Sequence, residues 1–167
     1  MTIHFGDGSS QTAAGLAGSG KIIQVQHSEK TDTASTTSGW TDTRLSRSIT
    51  PSSSSNKIIV SWGVNWSAAG SAHVRIRVQR GGTTICHGNS DGSNRIRLSA
   101  GGYTVGNQLH MCGGSYTDSP STTSSIDYHI EFGRNSGTAY INRNRYTNDA
   151  SYAIRGASFL TLMEVSG

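Results

Sequence analysis

The sequence predicts an all-β protein: an antiparallel β-sandwich, jelly-roll-like, behind a short extended N-terminal segment. Apolar and polar residues alternate with period two in segment after segment, as a strand with one buried face requires. Thirteen Ile stand against six Leu and three Glu, with 21 Gly and long runs of Ser and Thr, a composition that suits pleated strands and turns rather than helices. Turn-forming clusters recur roughly every 8–15 residues, the rhythm of a sandwich or jelly roll.

In chain order, residues 1–20 (MTIHFGDGSSQTAAGLAGSG) hold a short alternating start, a DG turn signal and then small residues. Such a segment cannot bury enough surface to fold alone, so it reads as an attachment or oligomerisation segment, with residues 21–167 as the sandwich. KIIQVQHSE (21–29) alternates at Ile23, Val25 and His27, TDTASTTSG (31–39) reads as a polar loop, and TRLSRSIT (43–50) is a weakly apolar strand stopped by Pro51. NKIIVSWGVNW (56–66) is the strongest strand, with Ile58, Val60, Trp62, Val64 and Trp66 on one face. AHVRIRVQ (72–79) is expected to be its partner and to turn through RGGT (80–83) into TTICHG. NRIRLSA (94–100), VGNQLHMCGGSY (105–116), IDYHIEF (126–132), GTAYINRN (137–144) and ASFLTLMEV (157–165) complete the strands.

The bulk numbers limit function. A net charge of +4, with no two basic residues adjacent, falls short of the dense basicity of a nucleic-acid binder, so nucleic acid is not expected as a partner. No apolar stretch approaches the ~18 residues of a membrane span. The N-terminus lacks the basic and apolar regions of a signal peptide, so synthesis in a cytoplasm is expected. Two cysteines cannot make a disulfide framework.

Four constellations could carry chemistry. Arg75, Arg77, Arg95 and Arg97 alternate on two expected strands and form a basic stripe, suited to phosphate or acidic sugar or simply to a solvated, ion-paired face. Cys86, His87, His110 and Cys112 supply the inventory of a zinc site at the wrong spacing, because neighbours on a strand point to opposite faces. No metal or other cofactor is therefore expected, and Cys86 and Cys112 are read as buried thiols or as a disulfide across pairing strands. Asp127 and Glu131 share a face but lie about 13 Å apart by strand rise, beyond the ~9.5 Å limit of a glycosidase pair, and no nucleophile or phosphate-loop motif appears. The expectation is a protein that is not an enzyme. Finally, Ile59 on the back of the strongest strand, and Leu160 and Leu162 on the back of the last, are surplus apolar residues that a sister subunit would bury, unless a second sheet of the same chain covers them.

IHFGDGSSQTAA (3–14) resembles a segment that recurs in phage tail-fibre and related virion proteins, and Ile3, Phe5, Asp7 and Gln11 carry the match. SITPSSSSNKIIV (48–60), YTDSPSTTSSIDYHIEF (116–132), GTAYINRN (137–144) and RGASFLTLMEV (155–165) are similar, in that order, to small β-rich structural proteins of tailed phages, many from marine and cyanobacterial hosts. The resemblance implies a virion component of fibre or knob type, made in the host cytoplasm. It implies a homotrimer whose N-terminal segment docks to other virion proteins, and it brings no catalytic residues. Loops 31–42, 88–94 and 145–153 are the candidate contact surface for a host glycan, through Trp40, Asn89, Asp91, Asn94, Tyr146, Asn148 and Tyr152. A capsid decoration (cement) protein that reads no receptor, and a lectin-like carbohydrate-binding module, are the alternatives.

Overall fold

The structure, a computed structural model, describes residues 2–4, 6, 10–12, 20–90, 92–105 and 108–167, and no helix appears among them. The strands are β1 (Thr2–His4), β2 (Ser10–Thr12), β3 (Ile22–Lys30), β4 (Ala34–Thr36), β5 (Thr41–Ile49), β6 (Lys57–Ala68), β7 (Ala72–Arg80), β8 (Thr83–Ile85), β9 (Ala100–Thr104), β10 (His110–Asp118), β11 (Ile126–Arg134), β12 (Ala139–Ile141) and β13 (Ser158–Val165). β1 and β2 pair antiparallel, with Ile3 opposite Gln11; Phe5 and Asp7 lie outside the described residues.

The remaining strands form two antiparallel sheets packed face to face. In the first, β13 and β10 both pair with β6 across Ile58–Gly63, so they occupy its opposite edges. β3 lies beyond β13, and β12 and β4 extend the far end of β6. The second runs β5-β11-β7, and β8 and β9 share the outer edge of β7. The orders β3-β13-β6-β10 and β5-β11-β7-β8/β9, with the chain crossing between sheets at most connections, are those of a jelly roll.

Alternation decides the core. Ile58, Val60, Trp62, Val64 and Trp66 of β6 face inward and meet Val74, Ile76 and Val78 of β7 and Tyr128, Ile130 and Phe132 of β11, all 4% exposed or less. The expected pairing of β6 with β7 is not found. The 69–71 link carries the chain across the sandwich, so the two strands meet through side chains rather than through a ladder. The expected strand at 94–100 also fails: pairing on the edge of β7 stops at Ile85 and resumes at Ala100, and residues 86–90 and 92–99 lie outside the sheet. The 31–39 loop contains a short strand, β4.

The largest correction concerns β13. Leu160 and Leu162 are fully buried, not surplus, because they stand directly opposite Trp62 and Val60 and share their inward face. The outward residues of β13 are Phe159, Thr161, Met163 and Val165. Ile59 does face outward, flanked by Met163. Val25 stands beside Met163 on β3, and Phe159 and Met111 close over Gly63, where a Cβ would lie 2.5 and 2.7 Å from them. Val25 is 53% exposed and Met111 61%, and the outer face of the first sheet carries two apolar clusters, Val25–Met163–Ile59 and Phe159–Met111, with the row His27, Thr161, Ser61 and Ser115 between them.

Two buried carboxylates tie the ends of the sandwich. Asp118 accepts from Arg80 Nη1 at 2.8 Å and from the Tyr128 hydroxyl at 2.7 Å, joining β10 of one sheet to β7 and β11 of the other. Burial and the adjacent carboxylate raise the Tyr128 hydroxyl well above the usual tyrosine range. Glu164, fully buried, accepts from Gln24 Nε2, Ser52 N and Oγ, and Asn56 Nδ2, which moors the 50–56 turn to β13 and β3. Burial works against its charge, but those donors outweigh it and hold the carboxyl at about 2.

A folded value near 2 against 4.5 means that the stability contributed by the Glu164 charge is present above about pH 4.5 and is lost as pH falls towards 2. Thermal melts across that window should show the loss. Glu164→Gln should flatten it and cost about 2 kcal/mol or more at pH 7, because converging donors then face an amide. Leu160→Ala should cost about 3 kcal/mol in denaturant titration, against less than half that for the outward Phe159→Ala.

Candidate functional site

The outward residues of β7 are His73, Arg75, Arg77 and Gln79, set on the outer face of the second sheet by the pleat that buries Val74, Ile76 and Val78. Arg77 is fully committed. Its Nε donates to Glu131 Oε2 at 2.5 Å, and its guanidinium lies 4.2 Å from the centroid of Trp40. Gln79 Nε2 adds a second bond to Glu131 at 3.0 Å. Burial opposes the Glu131 charge, but Gln79 and Arg77 outweigh it and hold the carboxyl below the ordinary range. Trp40 reaches this position because residues 39–40 cross directly over Gly133, which has no side chain to block them, and because Arg134 donates to Thr37 O.

One step along β7 the surface opens. His73, Val74, Arg75, Asn94, Ile96, Leu98, Gly101 and Gly102 line a groove of about 410 Å³. The Tyr103 ring packs 4.8 Å from that of His73 and is 56% exposed. Arg75 is half-buried, and among the described residues its side chain makes no ion pair, hydrogen bond or ring contact. Arg95 and Arg97 do not join it in a two-strand stripe, since both are exposed on the 86–99 loop.

The expected contact residues thus separate. Asn94 enters the groove, Trp40 lies under Arg77, Asn89 is exposed on the loop and Asp91 lies outside the described residues. Tyr146, Asn148 and Tyr152 come together on the 142–157 connection that leaves the first sheet after β12. There the two rings meet edge to face at 4.9 Å, and Asn148 Nδ2 donates to the Tyr152 hydroxyl at 2.8 Å. His73, Ile96 and Leu98 line the groove, with Tyr103 beside it against His73, and none of the four was singled out from sequence. The available signal was GGYT after a broken alternation, which marks a strand whose glycines leave room above a neighbour.

The cysteine and histidine pairs do not converge. Cys86 follows β8 in the second sheet and Cys112 lies on β10 in the first, so their strands do not pair and both thiols are free. Burial pushes the Cys112 thiol up to about 11 and raises Cys86 as well, which keeps both protonated at neutral pH. His110 stacks on Trp66 at 4.7 Å and lies 3.0 Å from Thr104 Oγ1, and His87 lies at the surface, its Nδ1 2.9 Å from Gly88 O. Among the described residues no group of three His, Cys, Asp or Glu side chains could hold a metal ion. A second cleft of about 270 Å³ at the mouth between β4 and β5 contains Lys30, Asp32, Asp42 and Arg44, but its buried Lys30 ammonium already donates to Asp32 at 2.7 Å.

No protein-family profile matches the chain, and no curated protein matches it. A solved structure of infectious bursal disease virus, Gx strain, overlays 87% of this chain at 8% identity with a TM-score of 0.43, and this chain spans 37% of that one.

Arg77→Ala removes both the Glu131 bond and the cover on one face of Trp40. It should lower stability by about 1–2 kcal/mol and shift Trp40 emission to the red, and Arg77→Lys should restore less than half of either.

Proposed function

We propose that this chain is a structural component of a virus particle, a jelly roll built to be packed by identical copies on one face and displayed on the other. The carrying observation is the contrast between its two outer faces. The first sheet presents Val25, Ile59, Met163, Phe159 and Met111 outward, with Ile23 45% exposed beside them. The second presents His73, Arg75, Arg77, Gln79, Asp127, His129 and Glu131. Two apolar clusters on one face, Val25–Met163–Ile59 and Phe159–Met111, flank a row of small polar residues and together make a docking surface, and each apolar side chain that leaves water there contributes about 1–2 kcal/mol. The subunit contacts proposed are thus Ile59 with Phe159, Met163 and Val25, in place of Leu160 and Leu162.

The resemblance at residues 3–14 and along the body supports a tailed-phage particle, with residues 1–20 as the attachment segment and three copies about an axis. The jelly roll is compatible by analogy only, since lectin-like modules use it as well. The polar sheet and its groove then face outward, where they can meet the host surface. The role is one of assembly and display and asks for no catalytic group.

Light scattering on the full chain should give the mass of a trimer. Val25→Asp combined with Met163→Asp should give a monomer with unchanged circular dichroism. A wild-type chain that stays monomeric at high concentration would remove the reading.

A further inference from the structure

We infer that the groove on the second sheet binds a carboxylate-bearing sugar unit of a surface glycan, with Arg75 as the group that takes the carboxylate. The inference rests on the reading that this sheet is the displayed one, and names the ligand class its surface fits.

The cross-strand neighbours of Arg75 are Gly101 on β9 and Gly133 on β11, over which Leu98 and the Gly39–Trp40 backbone lie, so neither adjoining strand sets an acidic side chain opposite it. Arg77, two residues on, stands opposite Glu131 and is paired with it. The same strand therefore holds two arginines satisfied from within the chain, Arg77 and Arg80, and one, Arg75, at the floor of a groove without such a partner. Among the described residues, the groove lining contains no carboxylate. With a chain charge of +4, its field favours an anion. A guanidinium receives a carboxylate through two parallel N–H···O bonds, a fit that a point charge lacks.

The remaining lining selects the rest of the ligand. Beside the lining, Tyr103, opposite His73 and packed against it, offers an exposed ring on which the C–H face of a pyranose can stack. Ile96, 44% exposed, and Leu98 extend that apolar wall. Asn94 brings an amide that can donate and accept together, the pattern that vicinal hydroxyls require. A volume of about 410 Å³ lies in the range of small-molecule sites and accommodates one or two sugar rings. A bare phosphate would use Arg75 and leave the aromatic and apolar walls idle.

Calorimetric titration of the full chain with oligosaccharides containing glucuronate, galacturonate, mannuronate or sialic acid, at physiological salt, tests this. At least one should bind, its carboxyl-reduced neutral counterpart at least tenfold more weakly, and inorganic phosphate more weakly still. Arg75→Ala and Tyr103→Ala should each lose tenfold or more, Arg75→Lys should recover part of the loss, and Arg145→Ala, on the other sheet's connection, should bind as wild type. Failure of every acidic sugar, equal binding of the neutral counterpart or of phosphate, or indifference to Arg75→Ala would overturn the inference. Light scattering on the same samples reports assembly separately: a monomer that binds acidic sugar sinks the particle reading and leaves the groove, and an oligomer that binds none does the reverse.

Discussion

The inward row of β6 is the constraint on which the rest of the structure depends. Ile58, Val60, Trp62, Val64 and Trp66 place five large apolar groups along one edge-to-edge ridge, and no single sheet can cover them. β13 and β10 must pair on either side to satisfy the backbone, and β7 and β11 must lie across the ridge to take the side chains out of water. Once β6 is flanked by β13, the register puts Leu160 and Leu162 beside Trp62 and Val60 and turns Phe159 and Met163 outward. The apolar outer clusters are thus a direct consequence of the core. A strand with apolar residues in both rows can hide only one of them within its own chain.

Buried charge closes the same sandwich at its ends. Asp118 and Glu164 are both within the folded body, each held by several donors rather than by water. A carboxylate in such a place destabilises unless every donor is in position, so these groups fix the register of the strands that bring them together. Asp118 fastens β10 to the second sheet, and Glu164 fastens the 50–56 turn to the first. Both are engaged within the fold, whereas the Arg75 guanidinium lies elsewhere, on the outer face of the second sheet.

What could be read from the sequence follows the same physics. β6, β7 and β11 were legible because one row is apolar and the other polar, so period and face agree. β13 was legible as a strand but not as to face, because Leu160 and Leu162 compete with Phe159 and Met163, and only the partner strand decides. In β3 the apolar residues Ile22, Ile23 and Val25 are exposed, since Gln24 and Gln26 turn in to reach Glu164 and to accept from Arg47. The partner of β6 was misassigned because a short link can make a hairpin or cross a sandwich, and local chemistry does not distinguish them. The groove depends on which strands lie beside Arg75, and the pairing that places Gly101 and Gly133 there spans 26 and 58 residues of chain, from 75 to 101 and from 75 to 133. Arg75 and Asn94 could be named in advance, but not their convergence.

Hydroxyl-radical footprinting of the native full-length protein, read by mass spectrometry, addresses the central claim most directly, because it reports on both outer faces at once. The account predicts that Met111 and Met163 are shielded while Tyr103 and His73 react freely. Rapid oxidation of Met111 and Met163 in the assembled protein, at the rate seen for Tyr103, would contradict it.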